Sequence, residues 1–102
     1  MTTQVFPFKD PNETQSLAFD FAPDLGSETL AAGTMTSGVD LIAGTDATPT
    51  NVLNGAPVIS GALVLQSVKA GVAGADYRVW AKCNTSGGRV LVVAGILPVR
   101  NA

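Results

Sequence analysis

Hydrophobic residues in this chain recur with a period of two over short stretches, and no capped 3.6-residue stripe of a helix accompanies them. In the run Tyr77–Cys83, the residues Tyr77, Val79, Ala81 and Cys83 share one side. Asp76, Arg78, Trp80 and Lys82 fall on the other. Such alternation marks a strand with one face on a core. Asn84-Thr85-Ser86-Gly87-Gly88 is a run of turn formers, and Arg89–Val99 reads as a last strand rich in valine, leucine and isoleucine. Upstream, Leu17, Phe19 and Phe21 alternate with Ser16, Ala18 and Asp20, and Pro23-Asp24-Leu25-Gly26 closes that strand as a turn. Thr29–Gly44 alternates more weakly, with Met35, Val39 and Leu41 opposite Thr34, Thr36 and Asp40. Gly33 and Gly38 interrupt it, which predicts two short strands or one bent one. A short strand is expected at Thr50–Leu53, before the Asn54-Gly55 turn signal, and others at Val58-Ile59 and Ala62–Lys69.

These elements predict an all-β protein: an immunoglobulin-like β-sandwich of about seven strands, occupying residues 16–102, with an extended N-terminal arm over residues 1–15. The chain ends as such sandwiches do, with a strand, a Gly-x-Asp-Tyr corner, a strand, a glycine turn and a final strand. Gly74, Asp76 and Tyr77 are the candidate corner, in which a tyrosine hydroxyl bonds upstream backbone and pins the crossover between sheets. Trp80 points away from Tyr77, so a second apolar layer or an interface has to cover it. Leu91, Val93 and Leu97 are expected beside it. In the arm, Pro7 and Pro11 remove backbone donors and no strand pattern appears, yet Phe6 and Phe8 are present. The arm is therefore expected to lie on a neighbouring chain, with Phe6, Phe8 and Trp80 as interface candidates.

Composition narrows the function classes. The 102 residues suit one domain; 46% are hydrophobic and only 14% charged, against about 25% in typical soluble domains. So few charges fit a surface partly buried against other chains. The net charge is −2, and the basic residues Lys9, Lys69, Arg78, Lys82, Arg89 and Arg100 are dispersed, which argues against nucleic acid as a partner. No apolar run approaches a membrane span, and the N-terminus does not read as a signal peptide. The chain has no histidine and one cysteine, Cys83, expected as a buried free thiol with an interchain disulfide as the alternative. Histidine-based nucleophile systems and structural zinc are thereby excluded within the chain, and no cofactor or metal is expected. Asp10, Asn12 and Glu13 offer oxygens for calcium but lack the spacing of a known loop. The remaining carboxylates sit mostly in predicted turns, which disfavours an enzyme.

Four segments stand out in order along the chain: Lys9-Asp10-Pro11-Asn12-Glu13, Ala18-Phe19-Asp20-Phe21, Gly74-Ala75-Asp76-Tyr77 and Thr85-Ser86-Gly87-Gly88-Arg89. In that order they resemble the small Ig-like virion proteins of tailed bacteriophages described as fibre–tail adaptors. A Thr-Trp-Thr strand usual in the family stands here as Thr34-Met35-Thr36. The resemblance implies a virion structural protein, assembled in the bacterial host cytoplasm, with no catalytic residues. Its expected place is an adaptor or collar at the head–tail connector or fibre attachment point. Its expected partners are connector, tail, fibre or capsid subunits, together with further copies in a symmetric homo-oligomer. A capsid decoration protein and a carbohydrate- or receptor-binding sandwich module are the alternatives.

Overall fold

The computed structural model describes residues 4–102 and converts the alternating segments into two packed sheets. The elements in chain order are β1 (Gln4–Val5), β2 (Gln15–Asp20), a helical turn α1 (Ala22–Leu25), β3 (Thr36–Ala43), a 3-10 turn (Pro49–Val52), β4 (Val58–Ser60), β5 (Leu63–Val68), β6 (Asp76–Asn84) and β7 (Val90–Pro98). One sheet has the order β1-β7-β6-β3 and the other β2-β5-β4. This is the immunoglobulin arrangement, with the first strand moved from the smaller sheet onto the edge of β7, where it runs parallel.

The period-two residues fill the space between the sheets. Leu17 and Phe19 of β2, Val64 and Val68 of β5, Tyr77, Val79, Ala81 and Cys83 of β6, and Val93 and Leu97 of β7 are all buried. Each large apolar side chain so buried contributes roughly 1.5–3 kcal/mol relative to exposure. One polar residue, Gln66 of β5, is fully buried among them. Its Oε1 accepts from Ser37 Oγ of β3 at 2.6 Å, and its Nε2 donates to Gly55 O and Ser67 O at 3.0 and 2.8 Å. It therefore pins the two sheets in one register at no unsatisfied cost.

Of the two readings of Thr29–Gly44, one bent strand is the one found: β3, irregular between Leu41 and Ala43, with Thr29–Met35 used as a loop across the end of β6. Two other local expectations change. Gly38 stays within β3 because the Trp80 indole of β6 lies against it; a Cβ there would fall inside the ring. Residues Thr50–Leu53 form mostly the 3-10 turn rather than a strand. Pro49 starts the turn, and only Val52 within it must reach the core, so no alternation is needed.

Part of the expected arm also folds differently. Its first three residues lie outside the described residues. Gln4 and Val5 pair with Gly95 and Ile96 of β7, and Phe6 N donates to Ile96 O at 2.8 Å. The Phe6 ring meets Phe19 edge-on, with centroids 5.5 Å apart, and occupies the space a side chain at Gly95 would take. Instead of reaching a neighbour's groove, this aromatic is seated on its own core, because Gly95 leaves a hole there.

Candidate functional site

The segments that set this sequence apart build three clamps and one open surface. The first clamp is the corner after β5. Gly74 adopts φ +90° and donates to Val99 O at 2.8 Å, which turns the chain into β6. The Tyr77 hydroxyl accepts from Val72 N at 2.9 Å and donates to Asp46 Oδ2 at 2.7 Å. Asp46 Oδ1 in turn accepts from Thr48 N at 2.9 Å. The bond from Tyr77, then that from Thr48, holds the Asp46 carboxyl below the usual carboxylate range, whereas burial and then this carboxylate push the Tyr77 hydroxyl up. Asp76 Oδ1 lies outside the corner proper and accepts from Arg100 Nη2 at 2.8 Å. Asp46 was not legible as Tyr77's partner, since it sits 31 residues upstream in a polar loop.

The second clamp is the Lys-Asp-Pro-Asn-Glu segment. Lys9 is fully buried, and its Nζ donates to Asp10 O at 2.8 Å and Ala70 O at 2.6 Å. Burial pulls its pKa down, opposed by the charges of Glu13 and Asp10. Asp10 N donates to Glu13 Oε1 at 2.7 Å, and Asp10 Oδ1 accepts from Asn12 N at 2.9 Å. Asp10 Oδ2 accepts from Ala102 N at 2.9 Å. Both Asp10 oxygens and Glu13 Oε1 are thus turned onto backbone N–H groups, and among the described residues no group of three or more carboxylate or cysteine side chains is placed to hold a metal ion. Together with Arg100 N bonding Lys9 O at 2.9 Å, the segment fastens both ends of the chain to the corner loop. The sequence showed the motif but not the burial of its lysine.

The third clamp lies at the opposite end, in the β6–β7 turn. Thr85 Oγ1 donates to Glu28 Oε1 at 3.1 Å and accepts from Arg89 N at 3.0 Å. Arg89 forms an ion pair with Glu28 and donates to Asp24 O at 2.7 Å. The Arg89 hydrogen bond, more than any other contact, lowers the Glu28 pKa. Gly87 lies under the Glu28 carboxylate where no Cβ fits, and Gly88 adopts φ +87°. Residues of the Thr-Ser-x-Gly-Arg turn thus lock the hairpin to the loop that follows α1.

The open surface is the outer face of the β1-β7-β6-β3 sheet. Register places Ala94 opposite Trp80, with Val92 opposite Lys82 and Ile96 opposite Arg78. Leu91, Val93 and Leu97, expected beside Trp80, pair instead with Cys83, Ala81 and Tyr77 on the core face. The turn pairs Asn84 with Val90, so the even-numbered residues of β7 share the Trp80 face and the odd-numbered ones face the core. Trp80 is half-buried against Gly38, Ala94 is buried, and Val5 and Val90 are 69% and 58% exposed. Phe8 is 56% exposed. Cys83 is buried, 3.5 Å from Thr34 Oγ1. An open polar crevice of about 200 Å³ beside the corner, lined by Asp46, Thr48, Asn51 and Gly71, has its carboxylate already engaged by Tyr77 and Thr48.

Comparison with known proteins yields one family. The family described as "Podophage GP4 fiber-tail adaptor protein gp77" matches residues 9–98, a span that starts at Lys9 and contains the third clamp whole and the other two except for Val99, Arg100 and Ala102. No curated protein and no solved structure matches the chain.

Proposed function

The chain belongs to the podophage GP4 fibre–tail adaptor family, and we propose on that footing that it is a non-enzymatic virion protein joining fibre to tail. The family match over residues 9–98 is the observation that carries this reading. The structure supports it by what its distinctive residues do. Each motif tightens the scaffold. A part that transmits force between a tail and a fibre needs a rigid body with sticky faces. The three clamps supply the rigidity. The low charge, the exposed Val5, Val90 and Phe8, and the Trp80 face supply contact surface.

In this reading copies stand around the tail axis near the connector as a collar, a closed ring in which neighbouring subunits repeat one contact. Phe8 and Trp80 are the aromatic contacts to neighbouring chains, and Phe6 is withheld because the core already holds it. The test is a phage carrying a stop codon early in this gene, grown with and without a complementing copy. Particles made without the protein are expected to have tails that lack fibres and fail to adsorb, and complementation restores both. Fibred, infectious particles without the protein would refute the adaptor role.

A further inference from the structure

Each of the two sheets carries an apolar row on its outer face. On the larger sheet, Gly38, Trp80 and Ala94 cross three strands in register, with Val92 and the exposed Val90 on the same side. On the smaller sheet, Ala18, Leu65 and Val58 cross all three strands in register. Their strand neighbours Phe19, Val64 and Gln66 are the residues buried in the core, so this second row faces outward. Ala18 and Val58 are exposed, and Leu65 is half-buried. Both rows cross the middle of their central strands, β6 and β5.

The charges on the two faces differ in sign at the same end of the molecule. Lys82 lies on the Trp80 face, two residues before the Asn84–Val90 pair that opens the β6–β7 turn. Asp20 lies on the Leu65 face as the last residue of β2, just before α1, where Arg89 of that turn bonds Asp24 O. Both are exposed, and neither takes part in an ion pair among the described residues. At the corner end the signs are reversed. Lys69 follows β5 with the parity of Leu65, and the Trp80 face carries Asp40, whose 3.4 Å contact with Arg78 leaves its side chain 62% exposed.

We propose that the Leu65 face of one copy packs on the Trp80 face of the next, turn end on turn end. The proposal rests on the collar reading and names the contact that the collar repeats. Stacked this way, Trp80 meets the Ala18–Leu65–Val58 row, Lys82 meets Asp20, and Lys69 meets Asp40. The apolar rows form the centre of the interface and the charges its rim. Neither face suits itself as well. Two Trp80 faces bring Lys82 against another Lys82 or against the already paired Arg78, and two Leu65 faces joined together leave Trp80 uncovered. The contact joins opposite sides of one body, so it is head-to-tail and repeats from copy to copy. All copies then point the same way along their strands, as a ring around a tail axis requires.

Disulfide trapping in purified phage particles tests the inference. Lys82→Cys together with Asp20→Cys in one chain is expected to give, on mild oxidation, a ladder of this protein extending beyond the dimer. Either cysteine alone is expected to give none, since the native Cys83 is buried. Asp20 also accepts from Ala22 N at 2.9 Å. Should its replacement melt early, Ser60→Cys, exposed in the same row across Leu63, takes its place. Charge reversal reads the same contact independently. Lys82→Glu should cut incorporation about tenfold or more, and adding Asp20→Lys should restore it to within about twofold. No rescue overturns the pairing of these two residues. Dimers from either cysteine alone show a face joined to itself and overturn the head-to-tail contact. Cross-links to a different virion protein overturn the second copy as the occupant. Particles that contain the variant without any cross-link overturn the contact and leave the adaptor role standing. Absence of the wild-type protein from particles overturns the adaptor role itself.

Discussion

Tyr77→Phe removes one oxygen and nothing else, so its effect measures the corner directly. That oxygen accepts from Val72 N at 2.9 Å and donates to Asp46 Oδ2 at 2.7 Å. Tyr77 is fully buried, so phenylalanine keeps its packing against the core. Two losses follow. The bond to Val72 is worth about 1 kcal/mol net, and leaving that N–H without a partner at a partly buried site adds roughly another 1 kcal/mol. Asp46, half-buried, turns its freed oxygen to water and adds little. The expected destabilisation is about 2 kcal/mol, which for a domain of this size lowers the melting temperature by roughly 10 °C. Urea denaturation followed by Trp80 fluorescence gives the free energy, and the slope with urea should be unchanged, because the fold is the same. Faster amide exchange at Val72 localises the effect. A loss below about 0.5 kcal/mol, smaller than one ordinary hydrogen bond, would show that the corner holds without the hydroxyl.

Gly95→Ala forces a methyl into the space of the Phe6 ring and should cost roughly 1–3 kcal/mol; combining it with Phe6→Ala should cost less than the sum of the two, read by a double-mutant cycle of thermal unfolding. Lys9→Ala strips two hydrogen bonds and fully buried volume, and should destabilise by roughly 2 kcal/mol or more while speeding exchange in the Ala70–Val72 loop; unchanged exchange there would refute the latch. Asp10, Glu28 and Asp46 all have folded pKa values held below their ordinary ones, so the stability they contribute is present above pH ~4 and lost as pH falls through the folded values. Melting temperature should therefore fall on acidification below about pH 4, and the fall should be shallower in Asp46→Asn; identical slopes would mean that this carboxylate titrates as in the unfolded chain.

The alternating pattern by itself determined the class of fold and the inward faces of the long strands. In a strand the two faces are fixed by residue parity, so Tyr77, Val79, Ala81 and Cys83 had to point one way together. The order of turn signals likewise placed the Gly74–Tyr77 corner and the Thr85–Arg89 hairpin turn. Pairing across the molecule was decided by tertiary structure alone. Nothing local to Asp46 announces Tyr77, nothing local to Lys9 announces Ala70 O, and Glu28 meets Arg89 from 61 residues away. The aromatics followed the same rule. Phe6 and Trp80 both read as uncovered side chains needing a partner; Phe6 lies over Gly95 on the core face, and Trp80 lies against Gly38 on the outer face, where it stays half-buried. A missing side chain gives no hydrophobic signal along the chain, so the seat it leaves is visible only once the strands are side by side.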